Sequence, residues 1–186
     1  EYGIRATNSK ATILNNAFTS INTTTNSPLN CTFCGSCIYF ENTDNVARDL
    51  IIGGPDDGTN AYTQYLKNEF NNSKNGIFTR GNPVTTIQSN TFNNIYQGIR
   101  CNRNFENITI DEVNTFSEVK FGVILFNVRG DLVVDGNVFN DPGVGTINPS
   151  FYRTAITVQN PVSSNRLTND VLITNNSISN YRIGIH

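Results

Sequence analysis

The chain has 186 residues, a formal charge of −2 and a pI near 5.3, with four Cys, one His and neither Met nor Trp. That length fits one domain; the acidic balance argues against a general nucleic-acid binder, and the lack of a long apolar run argues against membrane insertion. Asn supplies 31 residues. Because Asn tolerates left-handed backbone and bonds to nearby main chain, so many of them among Ile, Val and Phe predict short strands joined by tight turns.

One phrase recurs along the chain: Asn-x-Phe, or Asn-x-Ile, with a Gly-Ile pair six positions after the Phe or Ile. The chain opens on a Gly3-Ile4 strand. The first phrase, Asn16-Ala17-Phe18, meets its partner Cys37-Ile38 only after an insertion at 19–36, and a second insertion, 41–64, follows that strand. Three regular copies come next, Asn68-Glu69-Phe70 with Gly76-Ile77, Asn90-Thr91-Phe92 with Gly98-Ile99, and Asn114-Thr115-Phe116 with Gly122-Val123. Asn137-Val138-Phe139 then reaches Ala155-Ile156 across an insertion at 140–154, another insertion occupies 160–170, and Asn176-Ser177-Ile178 closes on Gly184-Ile185. The glycines at 76, 98 and 122 set a period of 22 to 24 residues, too short for a helical hairpin and without leucine-rich spacing. Long amphipathic stretches at helical spacing are missing, whereas Leu132-Val133-Val134 and Val171-Leu172-Ile173 read as strands. Stacked coils would bury Ile77, Ile99, Val123, Ile156 and Ile185 in one column and Phe70, Phe92, Phe116 and Phe139 in another.

This phrase resembles the parallel β-helix repeat of the pectate-lyase-like superfamily over nearly the whole chain. The resemblance implies an all-β, right-handed parallel β-helix solenoid of about seven coils. It implies little about activity, because the superfamily holds lyases, hydrolases, phage tailspikes, adhesins and non-catalytic surface proteins. The Asn-rich, Lys-poor style resembles large secreted bacterial surface proteins, so a secreted or cell-surface location is expected. Residues 1–186 read as a single segment of a longer solenoid, with neighbouring coils or copies of itself expected against both ends.

Several residue groups are candidates for chemistry. Cys31, Cys34 and Cys37 form C-x2-C-x2-C, with Cys101 in another coil. The spacing partly resembles an iron–sulfur or zinc pattern, but the fourth Cys is misplaced and the lone His186 is terminal; the other reading is a disulfide within the loop, with one or two thiols buried in the stack and the pairing open. Asp56 and Asp57, in a Gly-Pro-Asp-Asp-Gly turn cluster, are calcium candidates on oxygen-ligand grounds, although the spacing is not that of an EF-hand. No other cofactor is expected. Glu112 and Asp135 each fall two residues before their Asn on successive coils, so they are either paired carboxylates for acid–base work or a solvated surface pair.

A positional signal is stronger. Two residues before each Gly-Ile lie Lys74, Tyr96, Lys120, Arg153 and Arg182, and two after the Gly lie Arg5, Phe78, Arg100, Ile124, Thr157 and His186. Stacking turns these into a basic and aromatic strip suited to a polysaccharide or cell-surface glycan, or else into long side chains covering the solenoid. The expected function is therefore a structural or adhesive β-helix module that binds polysaccharide or assembles end to end. The alternative is a segment of a polysaccharide lyase or glycoside hydrolase.

Overall fold

In the computed structural model, which describes residues 2–21, 35–44, 46–54, 66–141, 153–159 and 170–186, each coil is made of three short strands. The first contains β1 (Tyr2–Thr7), β2 (Ala11–Ile13) and β3 (Ala17–Thr19), and the second β4 (Ser36–Asn42), β5 (Arg48–Ile52) and β6 (Glu69–Asn71). The third contains β7 (Asn75–Gly81), β8 (Pro83–Gln88) and β9 (Thr91–Asn93), and the fourth β10 (Gln97–Asn104), β11 (Ile108–Asp111) and β12 (Thr115–Ser117). β13 (Phe121–Phe126), β14 (Leu132–Asp135) and β15 (Val138–Asn140) form the fifth; β16 (Thr154–Gln159), β17 (Val171–Thr174) and β18 (Ser177–Ser179) form the sixth, and β19 (Ile183–Ile185) begins a seventh.

Every third strand pairs in parallel, which gives a seven-stranded sheet A from β1 to β19 and two six-stranded sheets, B from β2 to β17 and C from β3 to β18. The result is a right-handed parallel β-helix, the hand that parallel crossovers take because a right-twisted strand packs back onto its sheet only that way. No helix among the described residues is long and apolar enough to cross a membrane.

The repeat phrase explains the interior. Ile4, Ile38, Ile77, Ile99, Val123, Ile156 and Ile185 are register partners along sheet A, and those from Ile38 to Ile156 are at most 1% exposed, whereas Ile185, expected in the buried column, is 56% exposed because it lies on the outermost strand of the sheet. In sheet C, Phe18, Phe70, Phe92, Phe116 and Phe139 stack with centroids 4.5–5.1 Å apart and ring planes within 7° of parallel. Such spacing matches the distance between neighbouring strands, so one ring per coil fills the core without a gap. The glycine that follows six residues later is required by these rings: a Cβ on Gly98 would lie 2.7 Å from Gly122 O and 2.8 Å from Phe116 Cε1.

The Asn of the phrase has a different role from the turn-forming one that composition suggested. Asn68, Asn90, Asn114 and Asn137 are buried at the corner between sheets B and C and form a ladder. Asn90 donates both its backbone N–H and its side-chain Nδ2 to Asn114 Oδ1, at 3.0 and 3.1 Å, and Nδ2 also donates to Ile52 O and Gln88 O. The same bonds link Asn16 to Asn68, Asn68 to Asn90, Asn114 to Asn137 and Asn137 to Asn176. A buried corner must satisfy its backbone groups, and a carboxamide, with two donors and an acceptor, bridges three successive coils. Left-handed backbone is taken by a second set, including Asn8, Asn15, Asn72, Asn94, Asn127, Asn175 and Asn180.

The segment assigned from sequence to an insertion at 41–64 contains a regular strand, β5, whose Leu50 and Ile52 point inward and pair with Thr85 and Ile87. Only residues beyond Gly54 remain for that insertion, which puts it at the corner between sheets B and C rather than after the sheet A strand. Residues 55–65, most of 19–36 and of 140–154, and 160–169 lie outside the described residues.

Candidate functional site

The corner that leads from sheet C to sheet A is built the same way in three coils. Two residues after each core Phe, the chain turns through a left-handed residue, Asn72, Asn94 or Glu118, with φ of 52°, 51° and 55°. The next residue, Ser73, Ile95 or Val119, is buried, and the one after it, Lys74, Tyr96 or Lys120, emerges before the chain enters sheet A. Backbone hydrogen bonds hold these outward residues in one column: Gln97 N donates to Lys74 O, Phe121 N to Tyr96 O, Thr154 N to Lys120 O and Ile183 N to Arg153 O.

At this corner lies an open groove of about 610 Å³, lined by Asn72, Ser73, Lys74, Asn94, Ile95, Tyr96, Glu118, Lys120 and Arg153. Tyr96 is 45% exposed, and Lys120 Nζ sits 4.8 Å from its ring centroid and 5.5 Å from that of Phe121. Partial burial first, and then the charge of Arg153, hold the Lys120 ammonium below the usual lysine range. Arg153 is ion-paired with Asp141, whose side chain is only 1% exposed against 44% for the arginine. Three cations and one further carboxylate, Glu118, therefore face the same groove.

The structure brings Lys74, Tyr96, Lys120 and Arg153 together and extends their column to Arg182 in the sixth coil. It separates Arg100 from them. Arg100 belongs to the outward row Arg5, Tyr39, Phe78, Arg100, Ile124 and Thr157 on sheet A, where its guanidinium lies 5.9 Å from the Phe78 centroid and donates to Gln97 Oε1 at 3.4 Å. Burial lowers its pKa. Tyr39 and Phe78 of this row, both buried, stack with centroids 5.6 Å apart, with Arg5 5.7 Å from the Tyr39 ring, forming an aromatic and cationic ladder on sheet A.

Sequence reasoning passed over Asn72, Asn94 and Glu118, although their constant place two residues after the Phe could have revealed them. It also passed over Asp141, whose relation to Arg153 across 12 positions has no signal in the repeat.

The carboxylate pair is corrected by the register. Ile110 pairs with Val134, so the neighbour of Asp135 is Asp111, not Glu112. The fourth coil carries an extra residue here: Glu112 and Val113 both take left-handed backbone where the fifth coil has Gly136 alone, and counting back from the Asn slips by one. Burial, and after it a smaller push from Asp135, raises the Asp111 carboxyl above the usual range, against a hydrogen bond from Gln88 that lowers it. Asp135 accepts from Thr174 Oγ1 at 2.6 Å and Asn175 Nδ2 at 2.9 Å. This pair lies on the outer side of sheet B, and neither residue lines the groove.

Cys37 and Cys101 are free thiols within the stack, each fully buried. Cys37 occupies the register position of the repeat glycine, and Cys101 packs between Thr79 and Leu125. Cys31 and Cys34, like Asp56 and Asp57, lie outside the described residues. Among the described residues no group of three or more His, Cys, Asp or Glu side chains is gathered in a way that could hold a metal ion.

Searches of protein-family models, of curated proteins and of solved structures give no match to this chain.

Proposed function

We propose that this chain is an adhesive module of a secreted or cell-surface protein, of the pectate-lyase-like kind, that binds an acidic polysaccharide along the groove between sheets C and A. The observation that carries the reading is the convergence of Lys74, Tyr96, Lys120 and Arg153 on one open groove of a chain with net negative charge. With Lys74, Lys120 and Arg153 against the single carboxylate Glu118, the groove lining carries an excess of positive charge, and such a local excess attracts anions even when the whole molecule does not. The column also runs along the solenoid axis, so successive cations meet successive units of a linear chain rather than a single small molecule. Rigid strands on either side hold these side chains in place, which keeps the ordering cost of binding low.

The alternative, a segment of a polysaccharide lyase or glycoside hydrolase, draws on Asp111 beside Asp135, a half-buried carboxyl raised first by burial and in smaller part by its neighbour. That pair lies away from the groove, so the same glycan would not reach both.

Calorimetric titration with polygalacturonate and heparin oligosaccharides tests the reading. Binding of at least one is expected, weakening as salt rises because exposed charges are screened beyond about 8 Å at physiological ionic strength. Lys120→Glu and Arg153→Glu are each expected to lower affinity by at least about tenfold. Binding that ignores both substitutions, or no binding to any acidic glycan, would remove the groove from consideration.

A further inference from the structure

We infer that the groove contains a discrete anion subsite between Lys120 and Arg153, made for one carboxylate or sulfate ester, and that Asp141 is the positioning residue that builds it. The inference deepens the reading above and rests on it only for the anion's belonging to a glycan.

The geometry starts with the backbone. Thr154 N donates to Lys120 O at 3.1 Å, which sets Arg153 one coil above Lys120 in the same column. Two cations one strand spacing apart repel each other, and the depressed Lys120 ammonium registers that repulsion after its burial. Left to itself the longer side chain, Arg153, 44% exposed, would swing toward solvent. Asp141 prevents this. Its carboxylate is 1% exposed and binds Arg153 Nη1, so the guanidinium is held at the groove wall by a group that a ligand cannot reach. The Asp141 main chain is itself anchored, its N–H donating to Ser179 O in the next coil at 3.3 Å. A guanidinium has five N–H donors in a fixed plane, so tying one nitrogen to Asp141 leaves the others aimed in a defined direction. Lys120 Nζ is restrained from the other side by its position over Tyr96 and Phe121. An anion placed between the two relieves the repulsion and gains charge-assisted hydrogen bonds from both.

Glu118 provides the contrast. It lines the same groove as an exposed carboxylate, so it acts on an incoming anion through its charge alone. Removing the charge of Glu118 or of Asp141 raises the net charge by the same one unit and makes the groove more positive in both cases. If Asp141 acted only through the field, both changes would tighten anion binding. As a positioning residue, Asp141 must do the opposite.

The test is a titration with inorganic sulfate and, separately, with galacturonate, followed in the folded chain by NMR of the Thr154 backbone amide, which lies between the two cations in every variant, and of the Arg153 Nε–H signal where Arg153 is kept. Saturable shifts are expected for the wild type, with affinity about tenfold weaker in Asp141→Asn and modestly tighter in Glu118→Gln. Arg153→Lys, which keeps the charge and removes the fork, is expected to weaken binding like Asp141→Asn and serves in its place if that variant melts below the assay temperature. Equal or tighter binding in Asp141→Asn, unchanged binding in Arg153→Lys, or no saturable shift in the wild type would overturn the subsite. Sulfate or galacturonate binding without affinity for any acidic polysaccharide would keep the subsite and overturn the polysaccharide reading. The sulfate and galacturonate arms separate a sulfate ester from a carboxylate as the natural group.

Discussion

Asn114 Oδ1 accepts two hydrogen bonds from Asn90 one coil below, from the backbone N–H at 3.0 Å and from Nδ2 at 3.1 Å. Asn114 Nδ2 meanwhile shares its two N–H groups among Ile87 O, Asp111 O and Asn137 Oδ1. One side chain thus satisfies polar groups of three coils at a buried corner. Asn114→Ala would strand the Asn90 N–H and several carbonyls where water cannot replace the amide, at a cost of about 2–4 kcal/mol. Denaturant unfolding measures this. A loss below about 1 kcal/mol would mean that the corner hydrates or rearranges, and that the ladder is not an obligatory joint.

The ring column and the repeat glycines form a second joint, testable from either side. Phe92 is fully buried between Phe70 and Phe116, each 4.7 Å away, so Phe92→Ala is expected to cost about 3–5 kcal/mol. Gly98→Ala approaches the same column from sheet A and is expected to cost about 1–3 kcal/mol by overpacking. Gly184 supplies the control, since a Cβ there meets nothing closer than 3.8 Å, at Ile178 Cγ2. Thermal melting of the two alanine variants should differ; equal melting points would show that the rings move aside freely.

Cys101 is predicted to make stability fall at alkaline pH. Burial, opposed only by a hydrogen bond with Thr79, pushes its thiol from an ordinary value of 9.0 up to about 12. The folded chain therefore binds this proton more tightly than the unfolded one, so the contribution to stability is complete below about pH 9 and is lost as pH rises toward 12. Cys37, raised to about 11 in the same way, adds to the trend. In Cys101→Ala the decline in unfolding free energy between pH 9 and 11 should be shallower than in the wild type. Native thiols at both positions should also resist alkylating reagents that label them after unfolding, because the thiolate is the reactive form.

Much of this molecule is legible in its sequence, because a solenoid writes its fold as a period. The recurrence of Asn-x-Phe and Gly-Ile every coil determined the parallel pairing, the Ile and Phe columns and the row of Lys74, Tyr96, Lys120, Arg153 and Arg182, since residues at equal phase in successive turns must stack. Phase fails where the chain departs from it. One extra residue at Glu112-Val113 slips the count and makes Asp111 the neighbour of Asp135, and β5, a strand without the phrase, carries no mark that separates it from an insertion. Composition also did not separate two kinds of Asn, because the same side chain suits a left-handed turn and a buried ladder, and only burial distinguishes them. What the tertiary structure alone decided is the depth of the groove, the parting of Arg100 from it and the ion pair of Asp141 with Arg153. Each of these depends on how far a side chain stands from solvent and which way it leaves the corner, and neither quantity is carried by spacing along the chain.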